Sequence, residues 1–413
     1  MTAKSKSICT VCSLLCPLVD PPERVSSKGP AGSRSSVADC SMRNRWIDLR
    51  SRTKPINTLP QTLLDDAAIG LLEQARRPLV WIDGADVETV RAAVELSRAW
   101  PATLHTPQLT GSKVVTGVTC AEGWFGATLA DAARHSRLLI TLGTRWMQSM
   151  PLLVDRFFGH REDLQWWSIQ ADETAANTHS KQPTRRLMWP RQRWYAALSD
   201  LVQQTQASDS HADDTLAAAI LQSSSTTILW DKSEIQCDSD EPLVLLLHLL
   251  AKNRSTKARL SLLPINSDSG SETAEAALLW LTGCASTAKP TSNGWISPSH
   301  YQHYSPADWR AEFDYILAVR NTPSVKPITI NADLVLCPPS DSPSTSNPKV
   351  IPVGAAGVDH DALLFRGDHG MTCFAPAPTP QLNLSTAEVT LPTAAQRLQQ
   401  VTEILTDIKR GSV

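Results

Sequence analysis

Residues 78–100 read PLVWIDGADVETVRAAVELSRAW, and this stretch decides the fold class. Pro78 to Ile82 is a short apolar run closed by Asp83-Gly84, the pattern of a strand buried on both faces. Val87 to Trp100 then places Val90, Ala93, Val94 and Leu96 on one face of a helix. A buried strand feeding an amphipathic helix is half of a βαβ unit, and such units build parallel sheets covered on both sides by helices.

The same alternation extends in both directions. Leu63 to Arg76 reads as a helix before the strand; Thr128 to His135 reads as a helix after it, followed by strands at Arg137 to Leu142 and Leu164 to Ile169. A polar linker, rich in Ser and Asp, comes next. Beyond it strands are expected at Thr227 to Trp230, Ala258 to Leu263, Tyr315 to Val319, Leu334 to Cys337 and Val350 to Val353. Pro242 to Ala251 and Ser271 to Leu281 read as helices between them, and Thr393 to Lys409 as a closing helix. The expected architecture is α/β: doubly wound, mostly parallel sheets in two blocks, with a small Cys-rich N-terminal domain. The corresponding divisions are 1–50, a first α/β domain at 51–205, a linker at 206–213, a second α/β domain at 214–374, and a C-terminal extension at 375–413. Ligands in such sheets sit at the carboxyl ends of the strands, so Asp83-Gly84, Gly143-Thr144 and Asp172-Glu173 are the loops expected to line a crevice.

Composition narrows the function. A formal charge of −2 provides no basic field for nucleic acid or acidic lipid. The longest apolar run, Pro242 to Ala251, is too short to span a bilayer, and no secretory signal is legible at the start, so a cytoplasmic location is expected. Gly is scarce, at 18 of 413 residues, which disfavours loops that cradle phosphates by close backbone approach. Five of the nine cysteines are scattered, at positions 120, 237, 284, 337 and 373, unlike a disulfide framework.

The other four are grouped. Cys9, Cys12 and Cys16 fall as C-x2-C-x3-C, and Cys40 follows alone. Soft sulfur ligands presented by one tight turn suit a 4Fe–4S cluster. A four-cysteine zinc site uses a similar hook but draws its other two ligands from a second hook, and thiols that bind nothing are the third reading. Arg43, shortly after the fourth Cys, could offset the charge of a cluster.

The N-terminal cluster motif followed by doubly wound blocks resembles the molybdopterin oxidoreductases, and most specifically the B-type subunit of formylmethanofuran dehydrogenase. The resemblance runs through Cys9-Thr10-Val11-Cys12-Ser13-Leu14-Leu15-Cys16, Arg77-Pro78-Leu79-Val80, Gly126-Ala127-Thr128-Leu129-Ala130-Asp131-Ala132, Leu139-Ile140-Thr141-Leu142-Gly143-Thr144 and Leu364-Phe365-Arg366-Gly367-Asp368. It implies a subunit built around a bis-pterin molybdenum or tungsten centre that interconverts carbon dioxide and formate, with the metal held by a Cys followed by His and Gly. By register that ligand falls near Gly111-Ser112-Lys113, where there is neither Cys nor His; Cys120 is followed by Ala121, and His105 has no adjacent Cys. The strand-end loop of the family appears here as Gly143-Thr144-Arg145-Trp146, and its Asp-Pro-Arg-like loop as Asp172-Glu173-Thr174. These departures resemble the formyltransferase/hydrolase complex of tetrahydromethanopterin-linked one-carbon metabolism, whose B-type subunit keeps the fold without the redox centre. The resemblance implies a structural subunit with other subunits of that complex as partners, no catalytic residue of its own, and Cys9, Cys12, Cys16 and Cys40 as ligands of a cluster. The alternative is an active molybdenum or tungsten pterin subunit using Cys120.

Two further groups read as ordinary loops. His300, Tyr301, His303 and Tyr304 lack a third identifiable ligand, and in Asp359-His360-Asp361 neighbouring side chains diverge to opposite faces of an extended chain. No nucleophile elbow G-x-S-x-G occurs.

Overall fold

In the computed structural model, Pro78–Gly84 is strand β1, buried almost throughout, and its side chains divide by parity: Leu79 and Trp81 enter one core, Val80 and Ile82 the core on the opposite face. The structure describes residues 7–18, 40–52, 74–171, 182–206, 215–298, 305–324, 328, 330–340, 349–368, 372–377 and 391–410. The expected helix at Leu63 to Arg76, all but its final residues, lies outside them, as does nearly all of the expected linker at 206–213.

The remaining strands are β2 (Thr103–His105), β3 (Leu138–Leu142), β4 (Gln165–Gln170), β5 (Arg185–Met188), β6 (Ser225–Asp231), β7 (Arg259–Ile265), β8 (Thr287–Thr291), β9 (Gly294–Ile296), β10 (Tyr315–Arg320), β11 (Leu334–Cys337), β12 (Lys349–Pro352), β13 (Ala362–Phe365) and β14 (Thr372–Ala375). Among the described residues they form a seven-stranded sheet in the order β12-β11-β10-β1-β2-β8-β9, a five-stranded sheet in the order β5-β4-β3-β6-β7, and the hairpin β13-β14. Every pair in the five-stranded sheet is parallel. In the larger sheet β12 through β2 are parallel, and β8 and β9 close the edge antiparallel.

The α/β class and the mostly parallel sheets thus agree with the sequence. The sheet division does not follow the sequence division at 206–213: the larger sheet takes strands from 78–105 and 287–352, and the smaller one is assembled from 138–265. The physical reason is pairing. Beta-1 accepts β10 along its whole length, Pro78 against Tyr315, so the strand that opens the first block completes its sheet with strands from the end of the second.

Helices cover the faces as their periodicity requires. Val87–Ala99 starts at Asp86, whose side chain accepts from Thr89 N at 3.0 Å, and buries Val90, Ala93, Val94 and Leu96. Ala394–Lys409 lies on it, with Leu398, Val401 and Leu405 in the same core, so this helix of the C-terminal extension is part of the larger sheet's core. On the smaller sheet, Thr110–Glu122, Trp194–Gln206, Leu216–Gln222 and Glu241–Ser255 share one core. The opposite face of that sheet packs against residues 9–18 and the helix Ser41–Arg52: Val11, Leu14, Leu18 and Trp46 join Trp146, Trp166, Leu229 and Leu263. The described part of the Cys-rich segment therefore shares the core of the smaller sheet instead of enclosing one of its own, which a loop of this size could not supply.

Candidate functional site: a four-cysteine cavity and a filled cleft

Residues 7–18 close on themselves. Ile8 bridges Pro17, Cys9 N donates to Cys16 O at 2.8 Å and Leu18 N to Ser7 O at 2.7 Å, while Leu15 N turns back to Cys12 O at 3.2 Å. Leu15 adopts φ 48°, a left-handed conformation that costs a branched side chain about 1 kcal/mol or more and persists only where surrounding contacts enforce it. Those contacts are present. Ser13 N reaches Ser267 O at 3.0 Å, Gly367 N reaches Ser13 O at 3.1 Å, Thr10 Oγ1 reaches Ala356 O at 3.0 Å, and Ser269 Oγ reaches Thr10 O at 2.6 Å. A Cβ at Gly367 would lie 2.3 Å from Ser13 Oγ, so this position of the Leu364-to-Asp368 segment admits only glycine without a shift of the loop.

The turn brings all four expected ligands to one cavity. Cys9, Cys12, Cys16 and Cys40 line it together with Leu14, Leu18, Met42, Arg43, Pro151 and Leu152, around a narrow space that is partly open to solvent. Cys40 immediately precedes the helix Ser41–Arg52, whose Asn44 N bonds Cys40 O. None of the nine cysteines is in a disulfide. Burial pushes the Cys9 thiol up to about 12 and the Cys12 thiol well above its ordinary value, and the neighbouring thiols push each further in the same direction. Burial also raises Cys16, against the pull of the Arg156 guanidinium.

The donor set fits a polynuclear sulfur-ligated group. Its ligands are soft and its walls largely apolar. Arg43, 9% exposed, lines the cavity with a buried Nε that has no hydrogen-bond partner, a cation suited to an anionic occupant. Among the described residues no three His, Cys, Asp or Glu side chains converge closely enough for a single ion.

The position expected for the metal-ligating Cys is occupied differently. Gly111 and Ser112 sit in the first turn of the helix Thr110–Glu122, against the backbone of Lys232; a Cβ on Gly111 would lie 1.9 Å from Lys232 O. Lys232 follows β6 and its Nζ holds Glu272 Oε1 at 2.9 Å and Oε2 at 3.2 Å, with Lys232 6% and Glu272 0% exposed. Glu275, one turn along the helix Ser269–Thr282, completes the cluster. Burial, with Glu272 beside it, raises Glu275 to about 8, and Lys232, Ser112 and Gln108 offset part of this. Burial pulls Lys232 down, but Glu272 and Glu275 outweigh it and hold the amine above its ordinary value. Cys120 lies on the exposed side of the helix Thr110–Glu122, away from this cluster.

The strand-end loops are filled as well. Gly143 has φ 79° and a Cβ there would lie 2.2 Å from the Glu234 carboxyl group. Glu234 Oε1 accepts both Thr144 N and Arg145 N at 2.8 Å, taking the two amides that a phosphate would need. Trp146 is fully buried, donates Nε1 to Gly143 O at 3.2 Å and packs against Trp166. At β1, Asp83 pairs with Arg320, and Gly84 packs against Gly270 and Thr322. Asp172-Glu173-Thr174 lies outside the described residues, as does the group His300, Tyr301, His303 and Tyr304. Asp359-His360-Asp361 is a structural turn: Asp359 accepts Ala355 N at 2.7 Å and the His360 ring contacts Asp361 O and Gly354 O. His105 is half-buried between Trp81 and Trp309, its ring bonded to Thr287 Oγ1 at 2.8 Å, and desolvation lowers it to about 3.

Lys232, Glu234, Glu272 and Glu275 were not legible as a group in the sequence. Lys232 and Glu234 lie on one short 3-10 segment and Glu272 and Glu275 on one helix, one turn apart, and no local spacing joins the two pairs.

The class this geometry defines is a two-sheet α/β protein with a cysteine-lined cavity where its N-terminal loop packs against the smaller sheet's side. A solved chain with this fold belongs to the formyltransferase/hydrolase complex (FhcABCD) from Methylorubrum extorquens, determined in complex with methylofuran. The two share 18% identity and a TM-score of 0.68, over 86% of this chain and 99% of that one. No family model matches the sequence, and no curated protein matches it. Among the described residues no helix is long and apolar enough to cross a membrane.

Proposed function

We propose that this chain is the B-type subunit of a formyltransferase/hydrolase complex in tetrahydromethanopterin-linked one-carbon metabolism, a structural subunit without a pterin redox centre that holds a 4Fe–4S cluster on Cys9, Cys12, Cys16 and Cys40. The observation that carries the reading is the Lys232–Glu272–Glu275 cluster standing where the related oxidoreductases are expected to place their metal ligand. A pterin centre needs a thiolate and open space at that point. Here Ser112 faces buried charge, and Gly111 is in van der Waals contact with backbone. The residues do not fit a molybdenum or tungsten pterin, and no step is assigned to one. Formyl transfer and hydrolysis then belong to partner subunits, with this chain as their support.

The four cysteines do fit their group. Bound there, a cluster would supply one-electron redox capacity and tie residues 9–16 to Cys40. Arg43 would offset its charge, and Leu14, Leu18 and Leu152 would limit water. The test is metal and acid-labile sulfide analysis, with electron paramagnetic resonance, on the anaerobically purified complex. Iron and sulfide at roughly four per chain, without molybdenum or tungsten, is the expected result. Molybdenum or tungsten at about one per chain would overturn the structural reading and make this the catalytic subunit of a formate-handling oxidoreductase. Purification without partner chains would remove the complex from the proposal.

A further inference from the structure

A cation from outside the cavity lining reaches the cysteine loop. Arg156, in the short helix Leu153–Phe157, donates Nη1 to Leu14 O at 2.6 Å and to Cys16 Sγ at 3.1 Å, with its guanidinium 5.1 Å from the centre of the Phe157 ring. Arg366 stands 5.6 Å from the same ring but is paired with Asp368, at 2.6 Å. Among the described residues no carboxylate pairs with Arg156 in this way, so its charge is directed at the cysteine loop.

The donors to the loop thiols differ in kind. The backbone around Val11 and Cys12 offsets part of the rise of the Cys9 thiol, and that at Leu14 part of the rise of Cys12. Cys16 receives a side chain, from the helix Leu153–Phe157. A neutral thiol is a weak acceptor and a thiolate a strong one, so the Arg156 bond gains most when Cys16 is ligated as thiolate. Donors to a cluster's sulfurs stabilise its reduced, more negative state, and partners outside the ligand shell slow the loss of metal.

We propose that Arg156 is a positioning residue of the four-cysteine site: it aims Cys16 Sγ into the cavity and makes the bound iron–sulfur group easier to reduce and slower to lose. This rests on the cluster reading given under the proposed function.

The test compares the anaerobically purified complex carrying the wild-type chain, R156K or R156M. Two readouts are taken: the midpoint potential of the cluster by paramagnetic-resonance titration, and the rate of iron release to a chelator. In R156M the midpoint shifts to more negative values and iron release accelerates roughly ten- to a hundredfold; R156K, which keeps the charge, recovers most of the midpoint shift. If R156M holds no iron, the comparison passes to R156K, whose midpoint must lie below the wild-type value. Wild-type midpoint and release rate in the variants would overturn the role of Arg156 while leaving the cluster in place. A wild-type complex without iron would instead overturn the cluster reading, and this role with it.

Discussion

Replacing Glu275 with Gln removes a titration that the folded chain handles badly. Glu275 is buried beside Glu272, and its carboxyl is raised from 4.5 to about 8. The folded protein therefore keeps this proton between those two values while the unfolded chain releases it. The stability associated with the protonated group is fully present below about pH 4.5 and is lost as pH rises to about 8. At about 1.4 kcal/mol per pH unit, the full interval sets an upper limit on the order of 5 kcal/mol. Relaxation of Lys232 and sharing of the proton with Glu272 reduce the expected effect to roughly 2–3 kcal/mol. Gln occupies the same volume and carries no charge at any pH. Urea unfolding of the full chain, followed by tryptophan fluorescence, should show E275Q near wild-type stability at pH 5 and more stable than wild type by that amount at pH 9. Parallel stability curves for the two proteins from pH 5 to pH 9 would refute the assignment of a buried proton to this cluster.

Lys232→Met leaves two buried carboxyls without their cation, and should cost about 3–5 kcal/mol in the same unfolding assay at pH 7. Gly111→Ala drives a methyl group into the Lys232 carbonyl and should destabilise by about 2 kcal/mol or more, visible as a lowered urea midpoint with unchanged slope. Cys120→Ala, on an exposed helix face, should leave the metal content of the purified complex and its melting temperature unchanged. Cys12→Ser should lower iron per chain to a small fraction of the wild-type content, measured directly on the anaerobic complex.

Local periodicity made much of the fold legible. Beta-1, β3, β6, β10 and the helices at 87–99, 241–255 and 394–409 were readable because each carries its own apolar pattern and its own boundary residues, such as Asp86 and Thr393 at helix starts. Sheet membership was not readable, since nothing in Pro78 to Ile82 records that Tyr315 to Val319 will pair with it. Elements with weak signals were also missed. Thr110–Glu122 begins at Leu109 without a side-chain cap, and β2 is three residues long. That Cys9, Cys12 and Cys16 would lie together was legible because they share one short spacing, and Cys40 joins them at the same cavity. The cluster of Lys232, Glu272 and Glu275 was not, because its members meet only after two sheets have formed.

The interleaving of the sheets also orders events on the ribosome. Strands β3 to β7 follow one another between residues 138 and 265, so the smaller sheet can form while later residues are still being synthesised. Beta-1 and β2, made earlier, must wait for β10 and β8 before their sheet is complete, a delay that leaves apolar edges uncovered. The cysteine loop waits longer still, because its anchors include Ala356 and Gly367. An iron–sulfur group would thus be loaded into a loop not yet fastened at its C-terminal anchors, and chain completion would seal it in.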